Sequence, residues 1–197
     1  MADRKGKAGI GGLGLETRAA LPEALRYLLA RYPRDLWQAH GNFDGLTRFW
    51  LERHMMFRQV LGEWHAETRQ FIDNAGDPRR FAGRSAHLGG FLINQLHGHH
   101  QIEDHHYFPE LSRAEPRLER GFSILDADHH ALDGHLQALA NDTNALLRGF
   151  AEKTAKARER AGALEARLAG FAPFLDRHLV DEEELVVPVI LHHALRF

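Results

Sequence analysis

From Leu21 to the C-terminal residues, apolar positions recur every three or four residues, and no stretch alternates convincingly with period two. That spacing marks one face of a helix and argues against strands. It predicts a short helix from Pro22 to about Ala30, opened by a proline in its first turn, and a shorter segment after Pro33 carrying Leu36 and Trp37. Four long helices follow. The first begins near Phe43 and lines up Phe43, Leu46, Trp50, His54, Phe57 and Leu61 on one face. Asn74 to Pro78 breaks it, and Asp77-Pro78 offers an N-cap and a helix-opening proline. The second runs from about Arg79 to Tyr107 along Leu88, Leu92, Leu96, His99 and Glu103. Pro109 lacks an amide proton and would clash one turn back, so it is expected to end this helix.

The third helix, roughly Pro116 to Leu147, carries Phe122, Leu125, His129, Leu132, Leu136 and Leu139. The fourth, about Ala151 to Val187, carries Leu164, Leu168, Phe171, Leu175, His178, Glu182 and Leu185, with Pro173 expected to kink or split it. Four long amphipathic helices with short connections predict an all-α chain, an antiparallel up-down four-helix bundle with short extra N-terminal helices. The expected organisation is a flexible tail over residues 1–15, a helical extension over 16–42 and the bundle over 43–197.

Polar residues on those apolar stripes carry the chemistry. One pattern is written twice: His99, Glu103, Pro109, and then His178, Glu182, Pro188. Residues four apart share a helical face, so each pair offers an imidazole nitrogen and a carboxylate to the same region. His54 and His129 occupy the stripes of the other two helices, and each is followed at the same offsets by large apolar residues: Phe57 and Leu61, Leu132 and Leu136. The two helical hairpins thus read as two versions of one. Taken alone, each pair fits a neutral histidine bonded to a carboxylate in a satisfied polar core. Two copies in matching register, with a histidine on each remaining stripe, instead favour a two-metal site. An uncompensated carboxylate in an apolar interior costs several kcal/mol, so such groups pair, protonate or bind a metal.

Composition narrows the donors. The chain has 15 histidines and no cysteine among 197 residues, which excludes disulfides, thiolate ligands and iron–sulfur clusters. Its net charge of −2 gives no long-range field for nucleic acid or an anionic membrane. The longest apolar run, Leu185 to Leu191, is too short to span a bilayer and contains Pro188. Arg4, Lys5 and Lys7 are followed by glycine-rich sequence where a signal peptide needs an apolar stretch, so a soluble, cytoplasmic protein is expected. Gly9, Gly11 and Gly14 spell G-x-G-x-x-G, but no strand precedes them and no β-α-β unit follows, which removes the dinucleotide reading.

Among the remaining polar residues, His100 lies one position off the stripe and is a candidate extra ligand or supporting donor. His106 projects on the same side as His99, Tyr107 follows Glu103 by four, and Asp133 follows His129 by four as a candidate ligand or orienting partner. His97, His105, His130, His135, His192 and His193 read as surface or helix-end residues, and Asp181, Glu183 and Glu184 as a solvated acidic face.

The strings His99-His100-Gln101-Ile102-Glu103 through Tyr107-Phe108-Pro109, Asp128-His129-His130-Ala131-Leu132-Asp133, and His178 through Glu182 to Pro188 resemble the hemerythrin-like (HHE cation-binding) family. The Arg53-His54 segment matches the first helix more loosely, and the likeness covers about residues 43–193. The resemblance implies two non-haem iron ions, with His54, His99, Glu103, His129, His178 and Glu182 carried over as metal ligands. The same nitrogen and oxygen donors would accept manganese or zinc. Open positions on the metals would take a small diatomic ligand such as dioxygen or nitric oxide, or peroxide.

The chain departs from the oxygen carriers of the family. Where they place a second histidine one turn after the third-helix histidine, this chain has Asp133. Their fourth-helix carboxylate is an aspartate five residues after its histidine; here Glu182 follows by four and Glu183 by five. A site poorer in nitrogen favours binding or sensing of oxygen, nitric oxide or peroxide, or iron handling, over reversible oxygen carriage. The expected protein is a metal-binding or sensor protein rather than a dedicated enzyme. The alternative is a metal-dependent regulatory or interaction module without turnover, with a protein partner or a homodimer.

Overall fold

A computed structural model of the chain describes residues 12–73, 77–151 and 156–197. All regular structure among them is helical. The helices are α1 (Tyr27–Arg31), α2 (Gly45–Ile72), α3 (Pro78–Ile102), α4 (Phe108–Ala114), α5 (Glu119–Ala151) and α6 (Ala157–His193). Short 3₁₀ turns occupy Glu23–Leu25, Arg34–Ala39 and Pro116–Leu118, and a π turn, Glu103–Tyr107, joins α3 to α4. Of the tail expected over residues 1–15, positions 1–11 lie outside the described residues, as do Gly9, Gly11 and positions 74–76 of the expected break; Leu15 is buried.

Local chemistry sets the helix starts. Asp44 precedes α2, and its Oδ1 accepts the Thr47 amide at 2.8 Å and the Thr47 hydroxyl at 2.7 Å. Asp77 does the same for α3, accepting the Arg79 amide at 3.1 Å, with Pro78 as the first helical residue.

The chain forms two compact units. One comprises Met1–Phe49, Glu103–Ala131 and Arg177–Phe197; the other comprises Trp50–Ile102 and Leu132–Asp176. In the second unit the core includes Phe57, Leu61, Trp64, Leu92, Leu139, Leu164 and Phe171. Trp64 Nε1 donates to Ser85 Oγ at 2.8 Å, and Gly89 leaves room for the indole, since a Cβ there would lie 2.7 Å from a ring carbon. Phe71 stacks on Phe81 with centroids 4.4 Å apart, and Phe150 meets Phe71 edge-on.

In the first unit, Leu21, Leu28 and Trp37 of the N-terminal extension are buried with Leu111, Leu118, Phe122, Val187 and Leu191. Arginines fasten the extension to the last helix. Arg34 Nη1 donates to Glu183 Oε2 at 2.7 Å and its Nη2 to the Val180 carbonyl at 3.2 Å, while Arg26 pairs with Glu184 at 3.3 Å. In return, Arg177 Nη1 donates to the Ala19 carbonyl at 2.6 Å. The solvated acidic face expected at Asp181, Glu183 and Glu184 is therefore corrected: Asp181 and Glu183 are buried, and all three carboxylates receive arginines of the extension.

The prolines also act differently from expectation. Pro109 does not end its helical stretch: helical backbone continues from the π turn Glu103–Tyr107 into α4, and Pro109 lies in the first turn of α4. Pro173 does not split α6, and Pro188 does not end it; the helix runs to His193.

Candidate metal centre

In the first unit, four of the expected ligands are buried: Glu103, His129, His178 and Glu182. Glu103 opens the π turn, His129 lies on α5, and His178 and Glu182 lie one turn apart on α6. The imidazoles of His129 and His178 meet edge-on with centroids 4.8 Å apart, and the Phe108 ring stacks on His129 at 5.4 Å.

Each of these imidazoles is oriented by a carboxylate at its outer nitrogen. His129 Nδ1 lies 2.7 Å from Asp104 Oδ1, and His178 Nδ1 lies 3.4 Å from Asp128 Oδ2. An ionised carboxylate accepts, so each Nδ1 is the donor to its aspartate, and in the neutral ring Nε2 is the nitrogen left for a metal. The Nε2 atoms face further carboxylates: His129 Nε2 is 3.8 Å from Glu103 Oε2, and His178 Nε2 is 3.4 Å from Glu182 Oε2. Burial, followed by the charge of Glu103 and a hydrogen bond with it, pushes the Glu182 carboxyl well above its ordinary range. Burial lowers the His178 imidazole, outweighing Asp128, which favours the neutral ring a metal requires.

In the second unit, His54 on α2 and His99 on α3 are buried with their Nε2 atoms 3.0 Å apart and their rings nearly perpendicular, at 88°. Trp50 packs on His54 at a centroid distance of 4.1 Å and Phe57 on His99 at 5.2 Å, so the pair sits among aromatic rings. His100 is buried as well, 6.1 Å from His99 between centroids.

A bound cation fits both arrangements. Two donors each about 2.1 Å from one ion lie roughly 3.0 Å apart at a right angle and roughly 3.4 Å apart at the tetrahedral angle. The His54–His99 and His178–Glu182 separations of 3.0 and 3.4 Å match those spans. Imidazole nitrogen with carboxylate oxygen is a donor set for iron, manganese or zinc. A third acid–imidazole group fits less well. Glu115 carries Arg117 on both oxygens, at 2.8 and 3.1 Å, besides His193 at 3.3 Å, and His192 Nδ1 is 3.0 Å from the Tyr32 hydroxyl.

Asp133 is half-exposed and pairs with His97 at 3.3 Å, so it neither orients His129 nor replaces a histidine ligand. Glu183 is held by Arg34. His105 and His106 are exposed and, with Tyr107, Arg113, Arg196 and Phe197, line a surface cleft of about 450 Å³. The Tyr107 hydroxyl is raised by burial and, to a smaller degree, by Glu103. Sequence reasoning missed Asp104 and Asp128 as the orienting acids. Their signal was present as an aspartate directly beside a stripe residue: Glu103-Asp104 and Asp128-His129.

Buried imidazoles held at Nδ1 by carboxylates, with Nε2 turned towards further buried carboxylates, form a helix-borne donor set that could hold a metal ion. Residues 45–190 match the family described as Hemerythrin HHE cation binding domain, and the chain belongs to that family. No curated protein and no solved structure matches it. No helix among the described residues is long and apolar enough to cross a membrane.

Proposed function

We propose that the chain is a di-iron protein, an up-down four-helix bundle whose metal ligands are His54, His99, Glu103, His129, His178 and Glu182. Its function is to bind or sense a small oxidant or diatomic ligand, dioxygen, nitric oxide or peroxide, or to handle iron. Family membership supports cation binding, and the donor set supports a first-row divalent metal. The observation that carries the reading is the double orientation of His129 and His178, each fixed at Nδ1 by an aspartate while its Nε2 faces a buried glutamate.

When bound, ferrous iron supplies electrons and open coordination positions to an incoming ligand. The residues supply the rest. Asp104 and Asp128 hold the imidazoles in the ligand tautomer. Glu103 and Glu182 bring negative charge that a divalent pair would neutralise, and the Phe57, Trp50 and Phe108 rings keep water away from the histidines. Asp133 and Glu183, the residues that depart from the oxygen carriers, are engaged by His97 and Arg34, which supports a nitrogen-poor set and hence sensing or iron handling over reversible oxygen carriage.

The test is elemental analysis of protein loaded anaerobically with ferrous iron and desalted, beside a His99→Ala/His178→Ala variant. Near two irons per chain, lost in the variant, is the expected result; equal substoichiometric iron in both proteins would overturn it. Absorbance changes on adding oxygen, nitric oxide or peroxide to the loaded protein then distinguish a reactive centre from a metal-dependent interaction module.

A further inference from the structure

Arg18 lies ahead of the family-matched segment, in a stretch with no repetitive structure, yet its side chain is only 2% exposed. Its guanidinium makes four bonds. Nη1 donates to Asp128 Oδ1 at 2.7 Å and to the Leu13 carbonyl at 3.0 Å, Nη2 donates to Asp128 Oδ2, and Nε donates to Asp181 Oδ2 at 2.8 Å. Asp181 is further held by the Leu21 amide at 3.2 Å and by Arg177 Nη2 at 2.6 Å. Two arginines and two aspartates thus balance within one knot, and Asp128 is gripped on both oxygens. That same Asp128 Oδ2 is the atom beside His178 Nδ1.

We propose that Arg18 is a positioning residue for the metal centre: through its fork on Asp128 it fixes the orientation of His178, so that the N-terminal extension controls how tightly iron is held. The inference rests on the di-iron reading above. Only a planar, two-pronged donor can fix both carboxylate oxygens, which is why the position calls for arginine rather than lysine. Asp128 left with one restraint would be free to turn away from Nδ1, and His178 with it. Groups placed as Asp128 is, one bond removed from a metal ligand, typically change metal affinity by about 10- to 100-fold, and Arg18 acts one bond further out by holding Asp128 in place.

The experiment uses the full-length chain as wild type, Arg18→Met, Arg18→Lys, Asp128→Asn and the Arg18→Met/Asp128→Asn pair, with Arg34→Met as a control that removes a neighbouring clamp of the extension. Two readouts are taken: ferrous affinity by chelator competition, and histidine ¹⁵N shifts of the metal-free protein. In the wild type, His178 should show one fixed tautomer protonated at Nδ1. In Arg18→Met that signal should move towards the average of the two tautomers, and one of the two irons should bind about 10- to 100-fold more weakly. Arg18→Lys should fall between, Arg34→Met should match the wild type, and the Arg18→Met/Asp128→Asn pair should lose no more affinity than the larger of its two single losses.

Should Arg18→Met fail to fold, Arg18→Lys, which keeps the charge and loses the fork on Asp128, must still move the His178 signal and weaken iron. Wild-type iron affinity and an unmoved His178 signal in either folded variant would overturn the proposal. A wild type that takes no iron at all, with the His178 signal still responding to Arg18, would reject the di-iron reading and leave the positioning contact standing.

Discussion

The two His-Glu-Pro copies are alike in sequence and unlike in backbone. Around Glu182 the chain is ordinary α-helix, unbroken to His193, whereas Glu103 opens a π turn. Beyond the glutamates the copies diverge. Leu185, Val186 and Pro188 are buried, while the equivalent His106 and Pro109 are exposed and Tyr107 is half-buried. The wider turn lets two adjacent side chains serve one imidazole, Glu103 near His129 Nε2 and Asp104 at Nδ1. In the second copy the residue after the glutamate is Glu183, committed to Arg34, and the clamp on His178 comes instead from Asp128 on α5. Equal spacing in sequence therefore fixes which residue types arrive, and the residues downstream decide how the helix delivers them. A polar run, Asp104-His105-His106-Tyr107, tolerates an irregular turn that leaves it towards solvent; Leu185-Val186-Val187 does not.

The comparison breaks most severely if the π turn is removed. Deleting His105, an exposed member of the turn, should restore α-helical register and separate Glu103 and Asp104 from their shared imidazole. Iron binding is expected to fall at least about 100-fold, with far-UV circular dichroism unchanged. Undiminished iron would make the π turn incidental.

Next in size, Asp104→Asn should weaken iron by about 10- to 100-fold, whereas Glu183→Gln, at the equivalent position of the other copy, should stay near wild type in the same chelator titration. Matching losses at both positions would show the copies to be equivalent after all.

The prolines give a smaller contrast, read by urea unfolding. Pro173 is exposed and interior to α6, so Pro173→Ala restores a helix amide without leaving a cavity and should stabilise by about 1–3 kcal/mol. Pro109 opens α4, and Pro109→Ala should change stability by no more than about 0.5 kcal/mol.

The smallest effect concerns Glu115, just past α4, whose contact with His193 links the exit of the first copy to that of the second. Arg117, with help from Tyr27 and His193, holds the Glu115 carboxyl down at about 2 against an ordinary value of 4.5. Because the folded value is depressed, this stabilisation is complete above the ordinary value and is lost as pH falls from there towards 2. Glu115→Gln should therefore flatten the acid limb of stability against pH below about 4.5, and an unchanged limb would remove the pair from the acid response.

Periodicity and punctuation carried most of the fold. The α3 start at Asp77-Pro78 and the buried stripe from Trp50 to Leu61 were legible because capping and burial obey local rules. The π turn was not, since nothing in the spacing of His99 and Glu103 distinguishes it from that of His178 and Glu182. The burial of all six expected ligands could be read from their stripes. What orients the histidines was legible only in part: Asp104 and Asp128 stand beside stripe residues, but Asp128 serves His178, 50 residues away, and is held by Arg18, 110 residues away. Asp181 and Glu183 looked solvated because their arginines belong to the extension, and long-range pairing leaves no local signature. A weak trace exists in the eight-residue spacing of Arg18, Arg26 and Arg34, with Arg31 between the last two.

The knot around Arg18 also bears on where this protein can be cut. Homology marks a module from residue 45 to 190, and that module taken alone would keep Asp128 and Asp181 while discarding the cation between them. Grafted into another protein or inherited by recombination at that border, it would carry buried negative charge with Arg177 as its remaining partner in the knot. The cooperative piece of this chain is thus longer than its recognisable piece, and electrostatics carries it back at least as far as Arg18.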